Sequence, residues 1–317
     1  MTKRLVTIFG GAGFIGRHLV RELAQQGWRI RVVSRTPHLC GHMQPLGDVG
    51  QIVVQAVDTH DDAALTSMLS GSDAVVNLVG ILHETSRNTF DDIHGALPGR
   101  IAQAAKAAEV GRLVHVSAIG ADTGSSSAYA RSKAAGETAV QEACQQAVII
   151  RPSIVIGPED DFFNRFASMA RISPALPLIG GGKTRFQPIY VGDVAKAITA
   201  GLDNGQALGR IFEIGGPKVY TFEDLLRYLL SVIGRKRFLV DLSWSLAAMP
   251  ARLFELLPSP PLTRDQIELL KTDNVVGDDM PTLSDLGLAP TPIEMIVPSY
   301  LARHRYAVGT DRIRATS

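Results

Sequence analysis

Residues 5–20 read LVTIFGGAGFIGRHLV: a short apolar run, a cluster of glycines, then apolar residues at helical spacing. The run Leu5 to Phe9 is short and continuously apolar, which predicts a strand buried on both faces. Ile15, Leu19 and Leu23 follow every four residues and mark one face of a helix that stops at Gly27. A strand that passes through a glycine turn into a helix opens a βαβ unit. Gly10 permits the tight turn, Gly13 leaves room for a group to approach the backbone, and Gly16 lets helix and strand pack closely. The free N–H groups of such a helix start, with the positive end of its dipole, favour a phosphate. A glycine pattern alone is a weak signal. Here the strand before it, the helix after it and its position near the N-terminus agree, so the stretch is a dinucleotide-binding turn.

Outward from this turn, five more β-branched apolar runs alternate with helix-like stretches: Arg29 to Ser34, Ile52 to Val57, Ala74 to Leu78, Leu113 to Ser117 and Val148 to Ile150. Six strands in this alternation predict an α/β fold, a Rossmann-type doubly wound parallel sheet. Beyond Pro152 the texture changes, with Pro158, Pro174, Pro177 and the glycine run Gly180 to Gly182 ahead of Lys183. The expected organisation is a nucleotide-binding domain over 1–157, returning near 186–216, a smaller C-terminal substrate-type domain over 158–306, and a tail at 307–317. Further helices are expected at Phe222 to Ile233 and Ile293 to His304.

The bulk properties narrow the function. With 45% hydrophobic residues, 20% charged residues and a formal charge of +1, the chain is globular and carries no global field for nucleic acid or an anionic membrane. Cys40 and Cys144 lie far apart with no CxxC or neighbouring His cluster, so no disulfide framework and no metal are expected. A cytoplasmic location fits. No stretch reaches the roughly 18 apolar residues of a membrane span.

The choice of dinucleotide rests on the end of the second strand. An acid there would hold the ribose 2′-hydroxyl of NAD; this chain has Ser34 and Arg35, and Arg35 is suited to a 2′-phosphate. NADP(H) is therefore expected in preference to NAD(H). Arg17 either adds a second contact or is solvated. Asp58 serves either the adenine side or as the N-cap of a helix over His60 to Leu69.

GGAGFIG at Gly10 to Gly16, NLVG at Asn77 to Gly80, YARSK at Tyr129 to Lys133 and RPSIVIGP at Arg151 to Pro158 come in the order found in extended or atypical short-chain dehydrogenases/reductases, which the chain resembles over residues 5 to about 216. The resemblance implies a cofactor held by Gly10, Gly13, Phe14, Ile15 and Gly16, by Asn77, Val79 and Gly80, and by Pro152, Ser153 and Ile154. QPIYVGDVA at Gln187 to Ala195 and FEIGG at Phe212 to Gly216 extend it. LTRDQIELLKTDNVV, Leu262 to Val276, is similar to a narrower group, the Rossmann-fold accessory subunit of respiratory complex I, which holds NADPH, and its bacterial relatives. Partners among complex I subunits follow as an expectation.

Tyr129 and Lys133 stand one turn apart on a helix expected over Ala128 to Gln141, so they share a face. The ammonium should favour the phenolate, turning a poor base into a usable one. The resemblance gives Tyr129 the acid/base role and Lys133 the nicotinamide ribose. Reduction also needs a hydroxyl at the substrate oxygen. Ser117 is the nearest candidate, but active members carry this hydroxyl one or two positions later, where this chain has Ala118 and Ile119. Ser125, Ser126 and Ser127 are the alternatives. His94 stands near the position of an Asn that orders the active-site helix in the family.

Two functions stay open: an NADP(H)-holding accessory subunit of NADH:quinone oxidoreductase with little turnover, or an active reductase, isomerase or epimerase on a quinone-like, lipid-like or sugar-nucleotide substrate. Sugar-nucleotide chemistry is the weakest, because Lys183, Arg185 and Arg210 are a thin set of cations for a second diphosphate. Residues 242–257, with Trp244, Leu246, Met249, Leu253, Phe254, Leu256 and Leu257, are a helix closing the small domain, a contact for a partner protein, or a peripheral membrane contact at the cytoplasmic face of the inner membrane.

Overall fold

A computed structural model describes residues 4–247 and 263–305. The first half runs β1 (Leu5–Phe9), α1 (Phe14–Gln25), β2 (Arg29–Val33), β3 (Ile52–Gln55), α2 (Asp62–Leu69), β4 (Ala74–Asn77), α3 (Leu97–Ala107), β5 (Arg112–Val116), α4 (Ala128–Ala143) and β6 (Val148–Pro152). It continues through β7 (Val155–Ile156), α5 (Phe163–Ile172), β8 (Ala175–Ile179), β9 (Arg185–Phe186), β10 (Ile189–Tyr190), α6 (Val191–Asp203), β11 (Ile211–Ile214), β12 (Tyr220–Thr221), α7 (Phe222–Ile233) and β13 (Phe238–Leu242), and ends in the helices Arg264–Leu269 and Ile293–Leu301.

Seven strands form one parallel sheet in the order β11-β6-β5-β4-β1-β2-β3. All six expected strands are present, β1 with the expected ends and the others with ends shifted by no more than two residues. The seventh, β11, pairs in parallel with β6 in the register Ile211↔Ile149 to Ile214↔Pro152. It was legible only as a family-like segment, because at four residues it is too short to stand out by periodicity. Strand order reverses between β1 and β4, and ligands of doubly wound sheets lie outside the carboxyl ends at such a switch point. Helices α1 and α6 pack together against one face, and α3 and α4 against each other. One core takes Val6, Ile8, Leu19, Leu23, Ile198 and Phe212; a second, on the other face, takes Phe9, Leu65, Val75, Ile101 and Val140.

A further core gathers α5, α7 and Ile293–Leu301 through Phe163, Leu226, Leu229, Ile233 and Val297. Helix α7 is fixed at both ends, by a Thr221–Asp224 capping box and by Gly234 at φ 65°. Two expectations are refined. The helix after β3 begins at Asp62 with Asp61, not Asp58, as N-cap: Asp61 Oδ1 accepts from Ala63 and Ala64 N–H at 2.9 and 3.0 Å. The last helix is α-helical only to Leu301, and a 3-10 turn takes it to His304. Most of 242–257 lies outside the described residues.

Candidate active site

The glycine turn joins β1 to α1 with Gly10 at φ 76°, a conformation that side-chain-bearing residues rarely adopt. Gly16 is required by close packing, since a Cβ there would overlap the Gly11 backbone. Helix α1 starts at Gly13 with no side-chain cap and no acid in its first turn, so its leading N–H groups remain open to an anion. A Cβ on Gly10 would come within 3.1 Å of the Leu78 carbonyl carbon, which places the β1 and β4 turns side by side at the switch point. Asn77 Oδ1 accepts from Val79 N–H at 3.0 Å and shapes the second turn. These features fit a dinucleotide.

The residues expected at the adenosine end are less concentrated. Arg35 is exposed, and its guanidinium donates to Asn88 Oδ1 at 3.1 Å. Ser34 Oγ is taken up locally by Thr36 N–H and the Cys40 thiol. Arg17 leans toward Glu159 at 4.0 Å, so different partners engage the two arginines. Asp58 Oδ1 accepts from His60 N–H at 2.9 Å and stays exposed.

Helix α4 carries Tyr129 and Lys133 into the cleft beside β5. Lys133 is buried, and its Nζ donates to the Val116 carbonyl at 3.2 Å. It lies 3.7 Å from where a Cβ on Gly80 would be. Burial pushes the Lys133 ammonium down to about 8, with Glu137 opposing the fall. Burial first, and then the Lys133 cation, push His94 down to about 3 and hold His115 well below its ordinary value. Neutral His94 then has a defined role. Its Nε2 accepts from Ile81 N–H at 2.9 Å, so its Nδ1 carries the proton toward Ser132 Oγ at 3.2 Å, and Ser132 donates to the Tyr129 carbonyl at 2.8 Å. His94 sits in a π-helical turn, Asp91–Ala96, whose irregular backbone brings the His94 carbonyl against Gly136, where any Cβ would overlap it. Phe90 stacks on His94, and both rings stand edge-on to Tyr129, with centroids 5.7 and 5.1 Å away. His94 thus orders the Tyr129 helix, the task the family resemblance gives to an Asn.

Tyr129 departs from expectation. Burial and then the Asp265 carboxylate push its phenol up to about 12, so the chain by itself favours the protonated form and not the phenolate. Burial is the larger cause, and Asp265 adds to it from the start of α4, where it accepts from the Tyr129 N–H, while the Lys133 ammonium is bonded to the Val116 carbonyl. Ser117 is 4% exposed and its Oγ has no hydrogen-bond partner among the described residues. His115 Nδ1 accepts from Asn77 Nδ2 at 3.2 Å, which leaves a proton on a buried, unpartnered Nε2. The alternative hydroxyls are committed: Ser127 N-caps α4, Ser125 accepts from Ser127 N–H, and Ser126 donates to Glu268.

Sequence reasoning assigned no roles within the segment Thr263–Gly277, which straps the cleft. Asp265 accepts from Ser127 Oγ at 2.8 Å, Ala128 N–H at 2.7 Å and Tyr129 N–H at 3.2 Å. Asn274 Oδ1 accepts from Ser153 Oγ at 2.7 Å and Ile154 N–H at 2.9 Å, and Asn274 Nδ2 donates to the Ile119 carbonyl at 3.3 Å. Ser153 therefore faces this strap. Gly277 N–H donates to Glu213, which with Glu137 brackets Arg151 at 3.2 and 2.6 Å. The available signal was the Thr263–Gln266 capping-box spacing, which the structure forms. Among the described residues no group of three or more His, Cys, Asp or Glu is arranged to hold a metal ion, and no helix is long and apolar enough to cross a membrane.

A turn open to a pyrophosphate, a Tyr–Lys pair on one helix face and a seven-stranded parallel sheet define a nicotinamide-nucleotide-dependent class. The chain belongs to the NAD dependent epimerase/dehydratase family, whose model matches residues 6–215. It is 37% identical over 308 residues to the mitochondrial NADH dehydrogenase (ubiquinone) 1 alpha subcomplex subunit 9 of Rattus norvegicus, covering 95% of this chain and 80% of that protein. It is 32% identical over 240 residues to a ceramide reductase of Caulobacter vibrioides, covering 75% of this chain and 73% of the reductase. The dTDP-glucose 4,6-dehydratase DesIV of Streptomyces venezuelae, solved with NAD and TYD bound, superposes with a TM-score of 0.73 at 21% identity over 94% of this chain and 97% of its own. Both levels of the resemblance, the family and its respiratory-chain relatives, are borne out.

Proposed function

We propose that this protein is an NADP(H)-binding accessory or assembly subunit of NADH:quinone oxidoreductase, peripheral at the cytoplasmic face of the inner membrane, in which bound nucleotide holds the fold and turnover is slight. The observation that carries it is the Thr263–Gly277 strap: Asp265 bonds the start of the active-site helix and Asn274 the β6 exit, which ties this segment down over the Tyr129 end of the site. The similarity to the rat subunit runs over 95% of the present chain and supports the same reading. Arg35, exposed and bonded only to Asn88 among the described residues, supports the 2′-phosphate choice. When bound, the nucleotide supplies a hydride donor. The residues beside it supply a proton at Tyr129 Oη and a cation at Lys133 Nζ.

The second reading, an active reductase, is favoured by Ser117 Oγ, a buried hydroxyl without a partner beside an intact Tyr129 and Lys133, and by the similarity to a ceramide reductase. One experiment separates them. The protein is purified without added nucleotide, the nucleotide that accompanies it is identified, and its redox state is followed in cell extract while detergent-solubilised membranes are run on a gradient. NADPH that stays reduced in a chain co-migrating with NADH:quinone oxidoreductase supports the accessory subunit. Rapid oxidation in a wholly soluble chain overturns it.

A further inference from the structure

The C-terminal end of α5 and the loop entering β13 meet on a surface far along the chain from the nucleotide turn. Phe238 N–H donates to the Pro174 carbonyl at 3.0 Å, Arg237 Nε donates to the Ala170 carbonyl at 2.8 Å, and Phe238 stands opposite Ala175 in the β13–β8 pair. This brings Arg171 and Ile172 beside Arg235, Lys236, Arg237 and Phe238. Ile172 is 90% exposed, Phe238 77% and Val240 51%. Side chains alternate along a strand, so Phe238 and Val240 share the outward face, while Leu239 packs on the core beneath and Asp241 points away from them. Arg303 joins from the C-terminal turn: Arg303, Arg171 and Arg235 all lie close enough to buried His304 to disfavour its protonation, after burial itself.

We infer that this corner docks the protein on an anionic lipid bilayer, with Ile172 and Phe238 entering the acyl boundary and the surrounding cations meeting headgroup phosphates. Cations at the C-terminal ends of α5 and α7 would be expected from the helix dipoles alone, but that does not account for two large apolar tips presented to water among them. Charge complementarity selects the occupant. No carboxylate pairs with Arg171, Lys236 or Arg237 among the described residues. The nearby acids are engaged elsewhere: Asp160 with Tyr300, Glu294 with Tyr220, and Glu223 with Arg227 at the far end of α7. Apolar tips beside Arg171, Lys236 and Arg237, cations on long stems that no carboxylate neutralises among the described residues, match a headgroup layer over hydrocarbon. The whole chain carries a net charge of only +1, so the attraction is local to this corner.

This inference deepens the peripheral-attachment part of the proposed function and rests on it, and protein-free vesicles test it apart from complex membership. The purified full chain is sedimented with vesicles of phosphatidylcholine alone and of phosphatidylcholine mixed with phosphatidylglycerol. Binding is expected to the mixed vesicles only and to weaken with salt. Arg171→Gln and Lys236→Gln should each lower the partition about fivefold, and the Ile172→Ser/Phe238→Ser double variant by about tenfold or more. None touches the nucleotide site, so NADPH affinity and thermal midpoint report folding. In a separate sample, Phe238→Trp fluorescence should be quenched by brominated acyl chains in the mixed vesicles. Equal binding to both vesicle types, no binding, unchanged partition of the variants, or no quenching at position 238 would overturn the inference. Loss of vesicle binding with co-migration on the gradient intact would leave complex membership standing.

Discussion

Replacing Lys133 with Met should stabilise the nucleotide-free protein at neutral pH while weakening nucleotide binding. Lys133 is buried, its one described hydrogen bond is to the Val116 carbonyl, and its ammonium is depressed from 10.5 to about 8, a difference corresponding to about 3 kcal/mol. A group whose pKa is lower in the folded chain contributes stability that is complete above the unfolded value, here 10.5, and is lost as pH falls through about 8. At pH 7 the folded chain therefore carries nearly all of that cost, about 3 kcal/mol, and at pH 10 only about 1 kcal/mol. Met keeps the length and apolar stem but leaves the Val116 carbonyl without its donor, a loss of about 1 kcal/mol. The net expectation is a gain of about 2 kcal/mol at pH 7 that shrinks to about zero at pH 10. Urea unfolding of both proteins at the two pH values measures it, and the rise of Tyr129 affects both equally. In saturating NADPH most or all of that gain should be lost, because losing a charge-assisted bond to the ribose weakens binding by about tenfold to a hundredfold, or about 1.4 to 2.7 kcal/mol. A Met variant less stable at pH 7, or a difference that does not change with pH, would refute the placement of a costly buried cation at this position.

Arg35→Asp should erase or reverse a preference for NADPH over NADH of about 1 kcal/mol or more, read by calorimetry; equal affinities in the unmodified protein would remove Arg35 from the 2′-phosphate. Any reductase turnover should fall about 100-fold in Tyr129→Phe with NADPH affinity changed by no more than a few fold, and unchanged turnover would exclude the phenol from the chemistry. Because the folded phenol sits at about 12, above its ordinary 10, its contribution to stability is complete below pH 10 and lost as pH rises through 12, so Tyr129→Phe should flatten that alkaline loss in unfolding experiments. Asp265→Asn keeps the shape of the cap and removes its charge: resonances of 13C-labelled tyrosine, assigned with Tyr129→Phe, should show the phenol titrating lower than in the parent, at a cost in stability of about 1 kcal/mol. An unmoved midpoint would mean that Tyr129 does not sense the carboxylate.

The parts of this structure that were legible in the sequence depend on local periodicity or on backbone geometry. Strands β1 to β6 are mostly apolar runs, α1 shows its face in Ile15, Leu19 and Leu23, and α7 spans the expected Phe222 to Ile233. The Tyr129–Lys133 pair was legible because four-residue spacing on a helix fixes a shared face. Its electrostatics were not. The sign of the Tyr129 shift depends on Asp265, 136 positions away, and on the reach of Lys133 to a backbone carbonyl, and neither leaves a local pattern. The role of Asn274 between Ser153 and Ile119 is hidden for the same reason. His94 drew notice only as a departure from the family. Its use follows from burial that keeps it neutral, a tertiary property.

The contacts that order α4 also bear on turnover. A general acid must be held in a narrow geometry, and three contacts hold Tyr129: Asp265 at the helix start, Ser132 and His94 at its first turn, and the His94 carbonyl against Gly136. Two of these come from the π-helical turn and leave the substrate side alone. The third comes from the strap, whose Asp265 raises the proton affinity of the phenol while Asn274 joins Ser153 to the Ile119 carbonyl. Opening this side for a substrate would break the Asp265 bonds to Ala128 and Tyr129 together with the Asn274 bonds, several charge-assisted or part-buried interactions at about 1 to 3 kcal/mol each. Lys133 is under no such restriction, since its one partner among the described residues is a backbone carbonyl and its ammonium lies beside Gly80. We expect nucleotide binding to leave the strap's hydrogen bonds in place and access by a bulky hydride acceptor to break them. That asymmetry supports the proposal that this chain binds a nucleotide first and turns it over second.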